Sequence, residues 1–337
     1  MSVSSRQRVI ASIEGDLIDR PPMALWRHWP SDDQGEDSYV KAAIDFQEDF
    51  DFDLVKLTPS PAYISEAWGA RTAYSGSTLG VRDYVSRPIR DPKGWATILR
   101  LKIDEAPTLY REVLVAKRVK EHFGPEVPVV ATVFTPLSVI RYLCGDELFL
   151  GHVRLNRKEV CLAIDEITAT TIDLVQALLA VGIDGIYFSL FPAAHSMISE
   201  PEYREIAYAS DCLVMEAASS SLMQVAHFHS PFPMLSLARG YPVNFVSWET
   251  GRGGPGIADA LELTGKSVIG ALNQFGALSV GSPDEVQEEV IRNFKSVKDG
   301  KIILANSCSY PLFAPRVNLR RFCETVRGLE TERHIVS

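Results

Sequence analysis

The feature that most constrains this fold is the alternation of strand-like and helix-like segments along nearly the whole chain. Short apolar runs are predicted as strands, and segments with apolar residues three and four positions apart are predicted as helices. The predicted strands lie at about 23–26, 52–57, 127–134, 185–190, 222–228, 243–248, 268–272 and 302–305. Because strands that alternate with helices become parallel neighbours, the pattern favours an α/β fold of the (β/α)8 barrel type.

An open, doubly wound sheet is the alternative arrangement. No Gly-x-Gly-x-x-Gly motif follows the first predicted strand, so the dinucleotide-binding version of that fold has no support. The principal predicted helices lie at about 5–14, 38–50, 108–123, 158–181, 200–219, 257–263, 282–297 and 317–328. Ser38 is the predicted cap of the second helix.

Residues 68–107 interrupt the alternation with Gly and Ser turns and an Arg-Asp-Pro-Lys cluster. They are predicted to form a long insertion after a strand or a small hairpin, where barrels commonly carry a substrate-covering lid. No Pro/Gly/Ser linker, low-complexity tract or charge block divides the sequence. We therefore expect one domain over residues 1–337.

Composition excludes several classes of partner and indicates a compartment. The 337 residues carry a net charge of −9 and no basic stripe, so nucleic acid is not an expected partner. No apolar run has transmembrane length, and the amino terminus lacks the apolar core of a signal peptide. The five cysteines are odd in number and scattered, which is typical of reduced thiols and predicts a cytoplasmic protein.

Catalytic groups of a barrel lie where its strands end, so polar residues at predicted strand ends are candidates for the active site. His227 and His229 end one strand and share a face of the extended chain, and Cys308 follows the last strand. Two imidazoles and a thiolate suit zinc, and an open fourth position would make the site catalytic. The alternative is that a histidine bonds the barrel rim and Cys308 is a packing residue.

Other polar residues lie near predicted strand ends. Arg27 and His28 follow the first strand, where Arg27 could hold a carboxylate or phosphate, or could be a surface arginine. His195 lies in a loop and could be an acid–base group. Glu249 could be a metal ligand or general base, or could cap a helix or bridge a loop. Tyr142, on the helix after the third strand, is a core residue by default.

Three stretches resemble the uroporphyrinogen decarboxylase superfamily. They are 15–25 (GDLIDRPPMAL), 267–286 (SVIGALNQFGALSVGSPDEV) and 302–319 (IILANSCSYPLFAPRVNL), and the resemblance extends over nearly the whole chain. It implies a (β/α)8 barrel. The superfamily has one branch that decarboxylates uroporphyrinogen without metal or cofactor. Another branch uses zinc to transfer methyl groups between corrinoid proteins and a thiol.

The decarboxylase motifs match only in part. Arg27 matches the first arginine of an Arg-x-x-x-Arg motif, but Ser31 stands at the second. Residues 57–60 (LTPS) lack the aspartate that gathers pyrrole N–H groups in that branch, and Cys308 replaces its carboxyl-terminal histidine. Tyr142 matches its tyrosine. Loss of the aspartate removes the group that stabilises a developing pyrrolic cation, so the resemblance argues against a tetrapyrrole substrate.

The methyltransferase motifs match in place. The family's His-x-Cys-Gly corresponds to 227–230 (HFHS), and its Gly-Cys-Gly corresponds to 307–309 (SCS). The resemblance therefore implies zinc ligation by His227 and Cys308. His229 replaces a cysteine ligand and would make the metal more Lewis-acidic.

These observations together favour a zinc-dependent methyl-transfer or demethylation enzyme with a small-molecule substrate and a separate corrinoid protein. No tightly bound organic cofactor is expected, and relatives suggest a monomer or homodimer. The expected metal ligands are His227, His229 and Cys308; the expected catalytic residues are Tyr142 and Glu249; and the expected substrate-binding residues are Arg27, His28, His195 and Asn273. A cofactor-free decarboxylase acting on uroporphyrinogen or a smaller acid is the second hypothesis. A non-catalytic, ligand-binding barrel is the third.

Overall fold

A computed structural model describes residues 3–329, which form a barrel of eight parallel strands surrounded by helices. The strands of the chain are β1 (Met23–Ala24), β2 (Val55–Leu57), β3 (Arg71–Ala73), β4 (Asp83–Ser86), β5 (Val129–Phe134), β6 (Gly185–Leu190), β7 (Met223–Phe228), β8 (Phe245–Trp248), β9 (Ser267–Leu272) and β10 (Ile302–Asn306). The barrel order is β1-β10-β9-β8-β7-β6-β5-β2, and β3 pairs with β4 in a separate hairpin.

The first and second barrel strands meet through Asp53. Its backbone N–H donates to the Met23 carbonyl at 2.9 Å, and its carboxylate accepts from the Met23 N–H at 3.0 Å. These two bonds link the ends of the strand order, which brings the sheet close to complete closure.

Helices cover the outer face of the barrel. They are α1 (Ser5–Glu14), α2 (Glu36–Phe50), α3 (Tyr63–Glu66), α4 (Pro107–Phe123), α5 (Pro136–Cys144), α6 (Asp146–Leu155), α7 (Arg157–Ala180), α8 (Glu200–Ile206), α9 (Tyr208–Glu216), α10 (Ile257–Thr264), α11 (Ala277–Val280), α12 (Pro283–Lys295) and α13 (Arg316–Arg327). All residues of β5, β6, β7, β9 and β10 are buried, because side chains face either the barrel interior or the helices. This double burial explains the continuous apolar runs in the sequence.

The predicted barrel is confirmed, and two details of the helix predictions are wrong. The helix α2 begins at Glu36 after Gly35, so Ser38 is not its cap; Glu36 and Asp37 in the first turn favour the earlier start. The predicted helix 200–219 is two helices that meet at Ala207, which leaves the helical conformation with φ −123°. Near this break the Asp211 carboxylate accepts hydrogen bonds from two tyrosine hydroxyls, tertiary contacts that helical periodicity does not encode.

The insertion 68–107 contains the β3–β4 hairpin and two short 3-10 helices, Pro92–Thr97 and Ile103–Glu105. The hairpin side of the insertion contacts the rim of the barrel, since Tyr84 stacks on Tyr142 with ring centroids 6.5 Å apart. Arg87 lies over the Tyr84 ring and donates to the Tyr142 carbonyl. A lid function for this segment stays a prediction.

Among residues 3–329, no helix is both long enough and apolar enough to cross a membrane.

Candidate metal centre

The ends of β7 and β10 bring two imidazoles and one thiol together. One ligand atom from each of His227, His229 and Cys308 lies within 4.8 Å of the other two. The histidines share a face of the extended chain, and their rings stack with centroids 5.6 Å apart. Cys308 reaches them because the loop after β10 passes the same end of the barrel. The convergence expected from the strand ends is therefore present.

A hydrogen-bond chain fixes the ring of His227, which is 4% exposed. Its Nδ1 lies 3.1 Å from the Ser247 hydroxyl, and the Tyr187 hydroxyl lies 3.0 Å from the same oxygen. Ser247 comes from β8 and Tyr187 from β6, so three strands contribute. Donation from Nδ1 to Ser247 would leave Nε2 unprotonated, which is the form of histidine that binds a metal.

His229 lies between the sulfur of Cys308 and the carboxylate of Glu249. Its Nδ1 is 3.5 Å from Sγ and 3.2 Å from Oε1 of Glu249, and Arg252 donates to the other carboxylate oxygen at 2.6 Å. Burial lowers the pKa of His229, but Cys308 and Glu249 outweigh that effect and raise the pKa to about 10. The surroundings of this ring therefore stabilise positive charge.

The three donors fit zinc in kind and in spacing. Zinc binds sulfur at about 2.3 Å and imidazole nitrogen at about 2.0–2.1 Å, so tetrahedral ligands would place S and N about 3.5–3.6 Å apart. The ligand atoms of the three residues lie within 4.8 Å of one another, so a small adjustment of the side chains would bring them to these separations. Three protein ligands are also the number typical of catalytic zinc, in which a fourth position stays open for water or substrate.

The three residues line a cavity of about 50 Å³ at the carboxyl-terminal end of the barrel. Its other lining residues are Trp26, His28, Lys56, Thr58, Pro59, Pro61, Thr132, Phe134, Tyr142, Tyr187, Ser189 and Ser309. No aspartate or glutamate occurs among these residues of the described chain. The cavity therefore combines aromatic walls with cationic and neutral polar groups.

Two further predicted residues line this cavity, and a third supports it from outside. His28 bonds the Pro59 carbonyl through Nδ1 at 3.1 Å, and burial followed by the charge of Lys56 lowers its pKa to about 3, so the ring is neutral. Tyr142 is 7% exposed, and burial raises its pKa. Glu249 does not line the cavity but holds His229 from outside.

Three predicted substrate-binding residues do not line this cavity. Arg27 lies with its guanidinium 4.7 Å from the ring centroid of Trp29. His195 is exposed, and its backbone N–H donates to the Phe232 carbonyl. Asn273 accepts from the Phe275 N–H through its side chain and so stabilises the turn after β9. Their roles in substrate binding stay predictions.

Sequence reasoning missed Lys56, Tyr187 and Ser247. Lys56 had a usable signal, because a lysine is rare inside an apolar strand and this one lies one residue from the strand's carboxyl-terminal end. Tyr187 and Ser247 had no such signal. Aromatic and hydroxyl residues are ordinary in buried strands, and only the paired strands bring these two together.

The barrel, with its polar groups gathered where the strands end, defines a class of (β/α)8 enzymes. A family model described as uroporphyrinogen decarboxylase (URO-D) matches residues 4–329. The chain therefore belongs to the uroporphyrinogen decarboxylase family, as the sequence resemblance indicated. No curated protein sequence matches the chain.

Solved structures with the same fold include two kinds of methyl-group enzyme. A methyltransferase from Methanosarcina mazei is 18% identical, with a TM-score of 0.82 over 96% of this chain and 98% of its own. A B12-independent methionine synthase from a Shewanella species, in complex with selenomethionine, is 15% identical, with a TM-score of 0.56 over 93% and 95%. A putative B12-independent methionine synthase from Listeria monocytogenes is 8% identical, with a TM-score of 0.54 over 93% and 96%. At these sequence identities, the similarity shows that the proteins share a fold and nothing further.

Proposed function

We propose that this protein is a zinc-dependent methyltransferase or demethylase of the uroporphyrinogen decarboxylase family, with His227, His229 and Cys308 as the zinc ligands. The observation that carries the proposal is the approach of the three donor atoms to within 4.8 Å at the active end of the barrel. The methyltransferase among the structural neighbours supports the same reaction class.

Bound zinc would supply Lewis acidity at its open position, lowering the pKa of a thiol or another heteroatom that accepts or carries the methyl group. The chain's own groups orient the ligands. Ser247 and Glu249 hold the two imidazoles through their Nδ1 atoms, which fixes ring orientation. Tyr142 lines the same cavity and would contact the substrate there, and Arg27, outside the cavity, would contact a larger substrate or partner. A separate corrinoid protein is the proposed partner, as in the methyltransferase branch that the motifs resemble.

Decarboxylation is the competing function, favoured by the presence of Tyr142 in the cavity wall. Two observations oppose uroporphyrinogen as its substrate. The described cavity has no carboxylate to gather pyrrole N–H groups, and its volume is about 50 Å³, which is room for a few water-sized groups. An assay for coproporphyrinogen formation from uroporphyrinogen separates the two functions.

The decisive experiment is metal analysis of purified protein from zinc-supplemented cells. We expect about one zinc per chain, and we expect Cys308→Ser to lose both the metal and methyl transfer from methylcobalamin to a small thiol. Cys161→Ser, on the half-buried face of α7, is the matched control and should keep both. Metal-free wild-type protein, or full zinc and activity in Cys308→Ser, would refute the proposal.

A further inference from the structure

Lys56 places a cationic side chain inside the cavity, and no carboxylate of residues 3–329 pairs with it. Its ammonium nitrogen lies 4.3 Å from the Tyr187 ring centroid and 5.1 Å from that of Trp26. One hydrogen bond to the Thr58 hydroxyl, at 3.2 Å, uses one of its three N–H donors. The remaining donors are next to a cavity whose lining, within the described chain, includes no acidic residue.

Several other shielded cations of this protein have carboxylate partners. Arg8 and Arg20 both pair with Asp53, and Lys120 pairs with Asp184 at 2.7 Å. A desolvated cation without such a partner is costly. Consistent with that cost, burial lowers the pKa of Lys56 to about 7, and Cys308 opposes the change only in part. An anion bound in the cavity would supply the missing partner.

The charge of the proposed metal centre adds to that of Lys56. Zinc held by two neutral imidazoles and one thiolate keeps about one net positive charge. Glu249, which contacts His229 from outside the cavity, is itself paired with Arg252 at 2.6 Å. This second step rests on the proposed function, whereas the unpaired ammonium does not. Both charges favour an anionic ligand across the same small space.

We propose that Lys56 determines substrate specificity by binding a carboxylate group of the substrate. The substrate class is then a compact carboxylic acid that also carries a thiol or methylated heteroatom, with its carboxylate at Lys56 and that heteroatom facing the His227–His229–Cys308 side. The aromatic faces of Trp26 and Tyr187 hold the ammonium group in position for this contact. Tyr187 also supports Ser247, so the two ends of the cavity are coupled through one side chain.

Calorimetric titration with acetate and with its neutral analogue acetamide tests the assignment, using zinc-loaded and chelator-treated protein at constant ionic strength. A charge-assisted bond predicts that the wild type binds acetate about ten- to hundred-fold more tightly than acetamide in both preparations. Lys56→Met, of similar length, should lose this preference in chelator-treated protein, retain in zinc-loaded protein only the part due to the metal, and keep the zinc content of the wild type. Lys56→Arg should keep the preference in part, and exposed Lys102→Met should behave as wild type.

Equal binding of acetate and acetamide by the wild type, or an unchanged preference in Lys56→Met, would overturn the assignment. If Lys56→Met fails to fold, loss of the preference in a folded Lys56→Arg without loss of zinc also counts against a charge-based site. The two proposals fail separately. A lysine-dependent acetate preference in protein that never binds zinc would support the anion site and refute the proposed function. Bound zinc in protein without that preference would support the proposed function and refute the anion site.

Discussion

The two ends of strand β2 differ sharply in how their charges are satisfied. At the amino-terminal end, Asp53 is 1% exposed and accepts hydrogen bonds from Arg8, Arg20 and the Met23 backbone. Three residues further along, Lys56 at the carboxyl-terminal end has one hydroxyl partner and faces a cavity. One end uses buried charge to close the barrel, and the other leaves charge available for a ligand.

Cavity size alone would assign the functions of the two ends incorrectly. A cavity of about 690 Å³ lies near the amino-terminal end, where Pro21, Pro22 and Ile302 contribute to its wall. The carboxyl-terminal cavity has about 50 Å³ but contains the two imidazoles, the thiol and the ammonium. Because barrels carry chemistry where their strands end, the kind of group outweighs the volume in locating the site.

The largest expected effect comes from the amino-terminal end. Asp53→Asn removes the charge that two shielded arginines share, and we expect a loss of about 3–5 kcal/mol in unfolding free energy in urea. The folded variant should keep the zinc content of the wild type, because the candidate metal centre lies at the other end of the barrel. A loss of zinc without a loss of stability would contradict this division of roles.

Asp211 is a second buried carboxylate, but its hydrogen-bond donors are tyrosine hydroxyls, whereas Asp53 is bonded by two arginines. Asp211 accepts from the Tyr203 and Tyr241 hydroxyls at 2.7 and 2.8 Å, and burial raises its pKa to about 7. The folded state then holds a proton that the unfolded state releases above about pH 4, so stability should fall as pH rises from 4 to 7. The fall amounts to at most about 4 kcal/mol from this group.

Asp211→Asn should flatten that fall, measured as unfolding free energy at a series of pH values. Glu112, whose pKa burial also raises to about 7, should leave a residual slope. Asp259→Asn, on the exposed face of α10, is the control and should keep the full pH dependence. An equal slope in Asp211→Asn and the wild type would show that this carboxylate is not the source.

At the carboxyl-terminal end, Glu249→Gln tests the support of His229. The amide keeps the size of the side chain but loses the charge that favours a cation at the imidazole. We expect zinc affinity to fall about 10- to 100-fold, measured by competition with a chromophoric chelator. Glu262→Gln, exposed on α10, should leave affinity unchanged. Wild-type zinc affinity in Glu249→Gln would show that the charge of this carboxylate does not contribute to zinc binding.

The smallest effect is expected at a solvent-exposed ion pair. Asp49 and Arg316 approach to 2.8 Å, but their side chains are 42% and 59% exposed. Because water screens such pairs, Asp49→Asn should cost less than about 1 kcal/mol in urea unfolding. A cost equal to that of Asp53→Asn would show that burial does not determine how much each of the two aspartates stabilises the fold.

Much of the fold was predictable because periodicity is a local property. The continuous apolar run at 185–190 predicts strand β6, and the capping box before α12 predicts the start of that helix. The break at Ala207 was not predictable in this way, since residues 202–219 contain no Gly or Pro to mark it. The short β1 strand was recognisable only as part of an apolar segment; it pairs with β10, and its link towards β2 runs through Asp53.

The sequence by itself determined the order of strands and helices and the identity of the donor groups at the strand ends. Only the tertiary structure decided which of those groups share one space. His229 and Cys308 are 79 residues apart, and their 3.5 Å contact exists because the strands curve into a barrel. Closure of the barrel likewise put Lys56 beside them and left Arg27, His195 and Asn273 outside the cavity. Local patterns set each residue's preference for helix or strand, but proximity depends on the path of the whole chain.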